Sequence, residues 1–289
     1  MQSNNPVFRR SEEFNRPGAN AYGNQTYAGN GAPYAGYGDP STWSTGTPGA
    51  PGTGAPTTVE RPMTIDSVVM KTGLALAVVI VTAAITWIMS PDVDQNTDPS
   101  AISGLIAALT IGSLGAFVLS MVNSFKRVIS PALVLAFCAF EGVALGGLSK
   151  LFNLWYPGVV MGAVIGTFGA FADTLAVYKF FNIKVGTKFR TMVIAAMFGM
   201  VGISVIALVL SLFGVNLGIF DNGAIGLLFA VVGLALGVFM LVLDFDFVEQ
   251  GIANQLPDRE GWRAAFALTV SLVWIYTNLL RILAILRGD

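Results

Sequence analysis

The chain has 289 residues, of which 54% are hydrophobic and only 11% charged, with a formal net charge of −1, 33 Gly, one Cys and no His. Soluble domains carry about 25% charged residues, so this apolar excess must face something other than water, and a bilayer is the obvious solvent. The balance offers no basic surplus for nucleic acid, and the Cys and His counts exclude an intrachain disulfide framework, multi-Cys zinc sites and imidazole chemistry.

Residues 1–62 are Gly, Pro, Asn, Ser and Thr with scattered Tyr22, Tyr27, Tyr34 and Tyr37, and contain no apolar run. Such a segment cannot bury enough surface to fold, and it reads as a disordered tail ahead of a membrane domain over residues 63–289. No secretory signal is read, since the first long apolar run begins only near Ile65. From there seven apolar stretches of bilayer-spanning length follow one another, predicting an all-α seven-helix transmembrane bundle. They run from about Val68 to Met89, Ala101 to Met121, Pro131 to Leu151, Pro157 to Phe181, Thr191 to Phe213, Ala224 to Phe247 and Trp262 to Leu286. Ser130-Pro131 and Pro157 read as helix starts, because the N–H that proline lacks is unpaired at a first helical position anyway. The alternating ten-residue segments of a β-barrel do not occur.

Twelve of the sixteen basic residues fall on one side of this topology: in the tail, and between the second and third, fourth and fifth, and sixth and seventh helices. They include Lys126, Arg127, Lys179, Lys184, Lys188, Arg190, Arg259 and Arg263, whereas Lys150 and Arg287 fall on the other side and Asp92, Asp94 and Asp98 mark the first outer loop. The bias places the N-terminus in the cytosol, and the expected location is the cell inner membrane. Lys71 and Arg281 fall within helical runs near their ends and are expected to snorkel.

Charges inside a bilayer are costly, and here they are acids: Glu141 midway along the third helix, Asp173 in the fourth, and Asp244, Asp246 and Glu249 at the inner end of the sixth. Gly162, Gly166 and Asp173 share their spacing with Gly233, Gly237 and Asp244. Steps of four and seven return close to one helix face, so each Asp continues a small-residue stripe expected to meet neighbouring helices. The candidate site is therefore an acidic cluster near the cytosolic mouth, able to hold a cation or a proton, with Lys126 and Arg127 ending the second helix at the same face. Asp246 stands roughly 200° round the helix from Asp244, so the two do not line one narrow cavity while the helix is regular. Asp246 and Glu249 share a face and also read as interfacial acids beside the basic loop. Cys138 reads as a small core residue, and the five tryptophans as tail or interface residues.

The segment Ala136 to Ser149 with its Phe140-Glu141-Gly142 centre, the connection Tyr178 to Arg190, and the ending Leu243-Asp244-Phe245-Asp246-Phe247-Val248-Glu249 together resemble the Bax-inhibitor family. The likeness is strongest to its bacterial YccA-like branch, in members with a long Gly/Pro-rich tail, and it covers about Met63 to Arg287. It implies a protein that conducts calcium as a pH-sensitive leak, with an aspartate of the sixth helix paired to one on the seventh. The sixth-helix member corresponds to Asp244, where calcium would bind. From Gly261 to Gly288 there is no Asp or Glu, and Ser271, Thr277 or Asn278 stands near the missing position, or Asp173 or Asp246 supplies the second carboxylate. A second reading, also implied by the resemblance, is a regulatory protein restraining a membrane protease or stress response through protein contacts. A small-solute transporter is a third, though seven unbroken runs show no inverted halves. No cofactor is expected, and no enzyme: without His the helix-borne His-Glu-x-x-His zinc motif is excluded.

Overall fold

The computed structural model describes residues 61–91, 99–181 and 183–288. The tail and the aspartates of the first outer loop lie outside these residues. Seven helices follow in order: α1 (Ile65–Met89), α2 (Pro99–Phe125), α3 (Pro131–Trp155), α4 (Val159–Phe180), α5 (Thr187–Leu212), α6 (Ala224–Ala253) and α7 (Gly261–Gly288), with a 3-10 turn at Asp258–Glu260 before the last. All seven are long and apolar enough to cross a membrane. We call the end where α1 starts the tail end, and the opposite one the far end.

Local chemistry sets the helix limits. Thr64 and Ser67 form a capping box ahead of α1, Ser67 N–H donating to Thr64 Oγ1 at 3.2 Å. Pro131 opens α3 directly after Ser130, as its position in the sequence predicts. Pro157 does not open α4: the chain first turns through Gly158, whose φ of 86° only glycine adopts readily, and the helix begins at Val159. The sixth helix runs past the predicted Phe247 to Ala253. Met63 packs on Gly251 and the Tyr178 hydroxyl bonds Glu249, so residues distant in sequence support its last turns.

The helices pack around α3 and α7. The first lies mainly on α1 and α2, the second on α6, α1 and α4, while α5 meets only α6 to any extent. The α1–α3 seam is closed by glycine: a Cβ at Gly142 would collide with Thr82 and the Val79 carbonyl, and one at Gly146 would stand 2.6 Å from the Ala83 carbonyl. Without a hydrophobic drive between helices in lipid, such backbone approach supplies the packing attraction. One buried cluster gathers α1, α3 and α7 around Val134, Phe137, Cys138 and Leu280, with the Phe137 and Phe266 rings edge to face at 4.9 Å. A second joins α6, α7 and Tyr178 of α4 around Leu241, Phe245, Leu268 and Ile275, and Met63 plugs its tail end. Met63 N–H donates to the Leu256 carbonyl at 2.7 Å and Asp258 N–H to the Arg61 carbonyl at 2.8 Å, which fastens the approach to α1 onto the α6–α7 connection. Lys71 lies in the same place. Instead of snorkelling freely, it donates to the Asp258 carboxylate at 2.8 Å and to its carbonyl at 2.5 Å.

Candidate functional site

The α6–α7 seam holds a buried carboxylate. On α6, Gly233 and Gly237 let α7 approach: a Cβ at Gly237 would stand 2.7 Å from Ile275, and Gly233 faces the Asn278 side chain. One stripe further, Asp244 points into the same seam, 7% exposed, and accepts a hydrogen bond of 2.6 Å from the Ser271 hydroxyl. Leu241, Leu272 and Ile275 are buried in the cluster around it. A hydrogen bond to a charged carboxylate in such a setting is strong, because little water competes for either group.

Of the three α7 residues that the sequence places near the missing acid, Ser271 is the one that meets Asp244. Thr277 turns its hydroxyl back to the Trp274 carbonyl at 3.0 Å, and Asn278 donates to the same carbonyl at 2.8 Å. Neither Asp173 nor Asp246 supplies a second carboxylate. Asp246 is buried, 6% exposed, but faces away from Ser271, accepting from Arg190 Nη2 at 2.8 Å and Gln250 Nε2 at 2.7 Å. Glu249 accepts from the Tyr178 hydroxyl of α4 at 2.6 Å. These two acids thus tie α6 to α5 and α4 at the tail end, beside the basic connection.

Asp173 is exposed, against the expectation from its glycine stripe. Gly162 and Gly166 do pack under Leu283 and Leu279 of α7, but nothing approaches Gly169. The buried face of α4 runs through Ala163, Thr167, Thr174 and Tyr178, and Asp173 falls beside that face. Lys126 and Arg127 are exposed where α2 ends, and α2 packs on α3, so neither is brought to Asp244. Glu141 is half-buried in the middle of α3, between Phe137 and Leu145 on the same helix face, and takes no part in the Asp244 site. Arg281 does not snorkel to water: its guanidinium donates to the Ile219 carbonyl of the α5–α6 connection and lies over the Phe220 and Phe229 rings at 5.4 and 6.0 Å.

The spacing of polar residues along α7 holds a signal that the sequence reading did not use. Ser271, Trp274, Asn278 and Arg281 recur at steps of three, four and three, which puts them along one helix face. That face is turned to α6: Trp274 donates its indole N–H to the Gly233 carbonyl at 2.8 Å, so it is a seam residue and not an interface anchor. Polar groups thus follow the α6–α7 seam from Asp244 to the far end. Among the described residues no group of three or more Cys, Asp or Glu is placed to hold a metal ion.

Seven spans, with a buried carboxylate bonded across two of them, define a polytopic membrane protein with an intramembrane acid. Residues 5–288 match the family model described as Bax inhibitor 1 like, and the chain belongs to that family. No curated protein matches it.

Proposed function

We propose that the protein is a calcium leak of the inner membrane whose passage is set by the protonation of Asp244, with the tail end in the cytoplasm, where basic residues gather. One observation carries the reading: the Asp244 carboxylate lies buried within the spans with Ser271 as its hydrogen-bond partner. Family membership supports the same reading. An ionised carboxylate attracts a hard cation that prefers oxygen ligands, and a protonated one does not. One carboxylate and one hydroxyl are far short of the six to eight oxygens of a calcium storage site. Such a site binds weakly enough to release its ion, as conduction requires. With a hydroxyl in place of a second carboxylate, one proton controls the site, where an acid pair would titrate in two coupled steps.

The test is calcium uptake by proteoliposomes across a pH series, with wild type, Asp244→Asn and Ser271→Asp compared. Asp244→Asn is expected to abolish both most of the flux and its pH dependence, and Ser271→Asp to make the pH response steeper by adding a second coupled carboxylate. Flux and pH response unchanged in Asp244→Asn would refute the reading.

A further inference from the structure

A cleft of about 340 Å³ opens in the side of the bundle, between α1 and α4. Its walls are Ile80 and Trp87 of α1 and Val164 and Phe168 of α4, and its floor includes Ser149 of α3 and Tyr276 of α7. The two wall helices each pack on α7 but have no substantial contact with one another, which is why the side stays open. The volume falls within the range of about 300–1,000 Å³ usual for sites that bind small molecules.

Three observations say what fills it. First, the mouth faces hydrocarbon: the rim residues Ile80 and Phe168 are 53% and 46% exposed, and both lie within membrane-spanning stretches. Second, the floor offers a ligand no unpaired polar group. The Ser149 and Tyr276 hydroxyls bond each other at 2.6 Å, Ser149 donates to the Leu145 carbonyl, and Thr167 donates to the Ala163 carbonyl at 2.7 Å. Water has nothing to bind in such a space, and an apolar void of this size is costly to leave empty. Third, the length fits one leaflet. The α1 wall runs from Leu76 to Trp87, which at 1.5 Å per residue is about 16 Å, roughly half of a 30 Å hydrocarbon core. Trp87, at the far end of that wall, is the residue type that marks the membrane interface.

We propose that the cleft holds one acyl chain of a phospholipid from the far leaflet, lying between α1 and α4 along its length as a bound lipid and not as passing solvent. The occupant is specified by the shape of the cleft and by its opening to the bilayer. The proposal is independent of ion conduction.

The experiment uses the full chain, purified in detergent, stripped of lipid and titrated with a phosphatidylcholine that carries a photoactivatable diazirine midway along one chain. Mapping of the cross-linked peptides is expected to place the label on 76–87 and 160–168, saturating near one lipid per protein. Ala84→Phe and Val164→Phe, which fill the cleft, are expected to lower that labelling at least tenfold, while Ile111→Phe on the exposed face of α2 leaves it unchanged. Labelling spread evenly over the exposed apolar faces of the wild-type chain would overturn the proposal, and this result does not depend on either filled variant folding. Unchanged labelling in folded filled variants would overturn it as well, as would a dimer in which Ile80 of one copy cross-links to Ile80 of the other.

Discussion

The Ser271 hydroxyl meets the Asp244 carboxylate at 2.6 Å across the α6–α7 seam, with both residues buried. The two partners are not equivalent. Removing the hydroxyl leaves a buried carboxylate without that bond, which costs about 1–3 kcal/mol. Replacing the acid by its amide keeps an acceptor for Ser271 and relieves the burial of charge, which is neutral or stabilising. Ser271→Ala is therefore expected to lower the unfolding midpoint and Asp244→Asn to leave or raise it. The readout is at hand, because Cys138 is the one cysteine of the chain and is fully buried: its labelling by a thiol-reactive dye during heating reports unfolding. Equal losses in both variants would contradict this asymmetry.

A similar asymmetry governs Arg190 and Asp246. Their side chains stand 2.8 Å apart, the arginine 45% exposed and the aspartate 8%. When Asp246 becomes Asn, Arg190 stays hydrated at the surface, so the loss is that of a surface ion pair, about 0–1 kcal/mol. When Arg190 becomes Met, Asp246 is left buried with only Gln250 to bond it, and the cost rises to that of an unpaired buried charge, about 3 kcal/mol. The Cys138 assay is expected to rank Arg190→Met well below Asp246→Asn. The reverse order would show that Asp246 is stable without its ion pair.

How much of this was legible in the sequence follows from the range of each signal. The seven spans were, since every backbone polar group in hydrocarbon must be paired within its own helix and the apolar runs report where that happens. That Asp244 meets a neighbouring helix was too, because phase along one helix is a local property: Gly233, Gly237 and Asp244 share a face whatever surrounds them. The same reasoning misplaced Asp173, which shares a face with Gly162 and Gly166 but lies beside the buried face that runs through Thr174 and Tyr178. Which α7 residue meets Asp244 depends on the register between two helices, and no single stretch of chain encodes it. The length of α6 was missed for a related reason, as Tyr178 and Met63, distant in sequence, support its last turns.

The α1–α3 seam predicts a position-specific response to a single methyl group. A Cβ at Gly142 collides with Thr82 and with the Val79 carbonyl, and backbone cannot move aside as a flexible side-chain end can. Gly142→Ala is expected to cost about 1–3 kcal/mol through overpacking, despite the better helix propensity of alanine. At Gly104 of α2, with nothing within 4 Å of a Cβ, the same change has only the propensity term, a gain of up to about 1 kcal/mol. Opposite shifts of the unfolding midpoint in Gly142→Ala and Gly104→Ala would match this geometry, whereas two gains would show that the helices separate at no cost.

Lys150 holds the far end of α1. It is 6% exposed, and its ammonium donates to the Trp87 carbonyl at 2.9 Å and the Ser90 carbonyl at 2.6 Å, lying 5.9 Å from the centre of the Trp87 ring. The last carbonyls of a helix have no partner within it, and a cation at that end offsets both their unpaired state and the negative end of the helix dipole. Hydrogen bonds from a charged donor contribute about 1.5–3 kcal/mol each, set against the cost of keeping the ammonium from water. Lys150→Met keeps the apolar stem and removes the charged donor. It is expected to lower the unfolding midpoint and to speed amide hydrogen exchange over the last turn of α1, Ile85 to Met89, while leaving the first turns of the same helix, held by Thr64 and Ser67, unchanged. Exchange that rises uniformly along α1 would mean that Lys150 acts on the packing of the whole helix and not on its end.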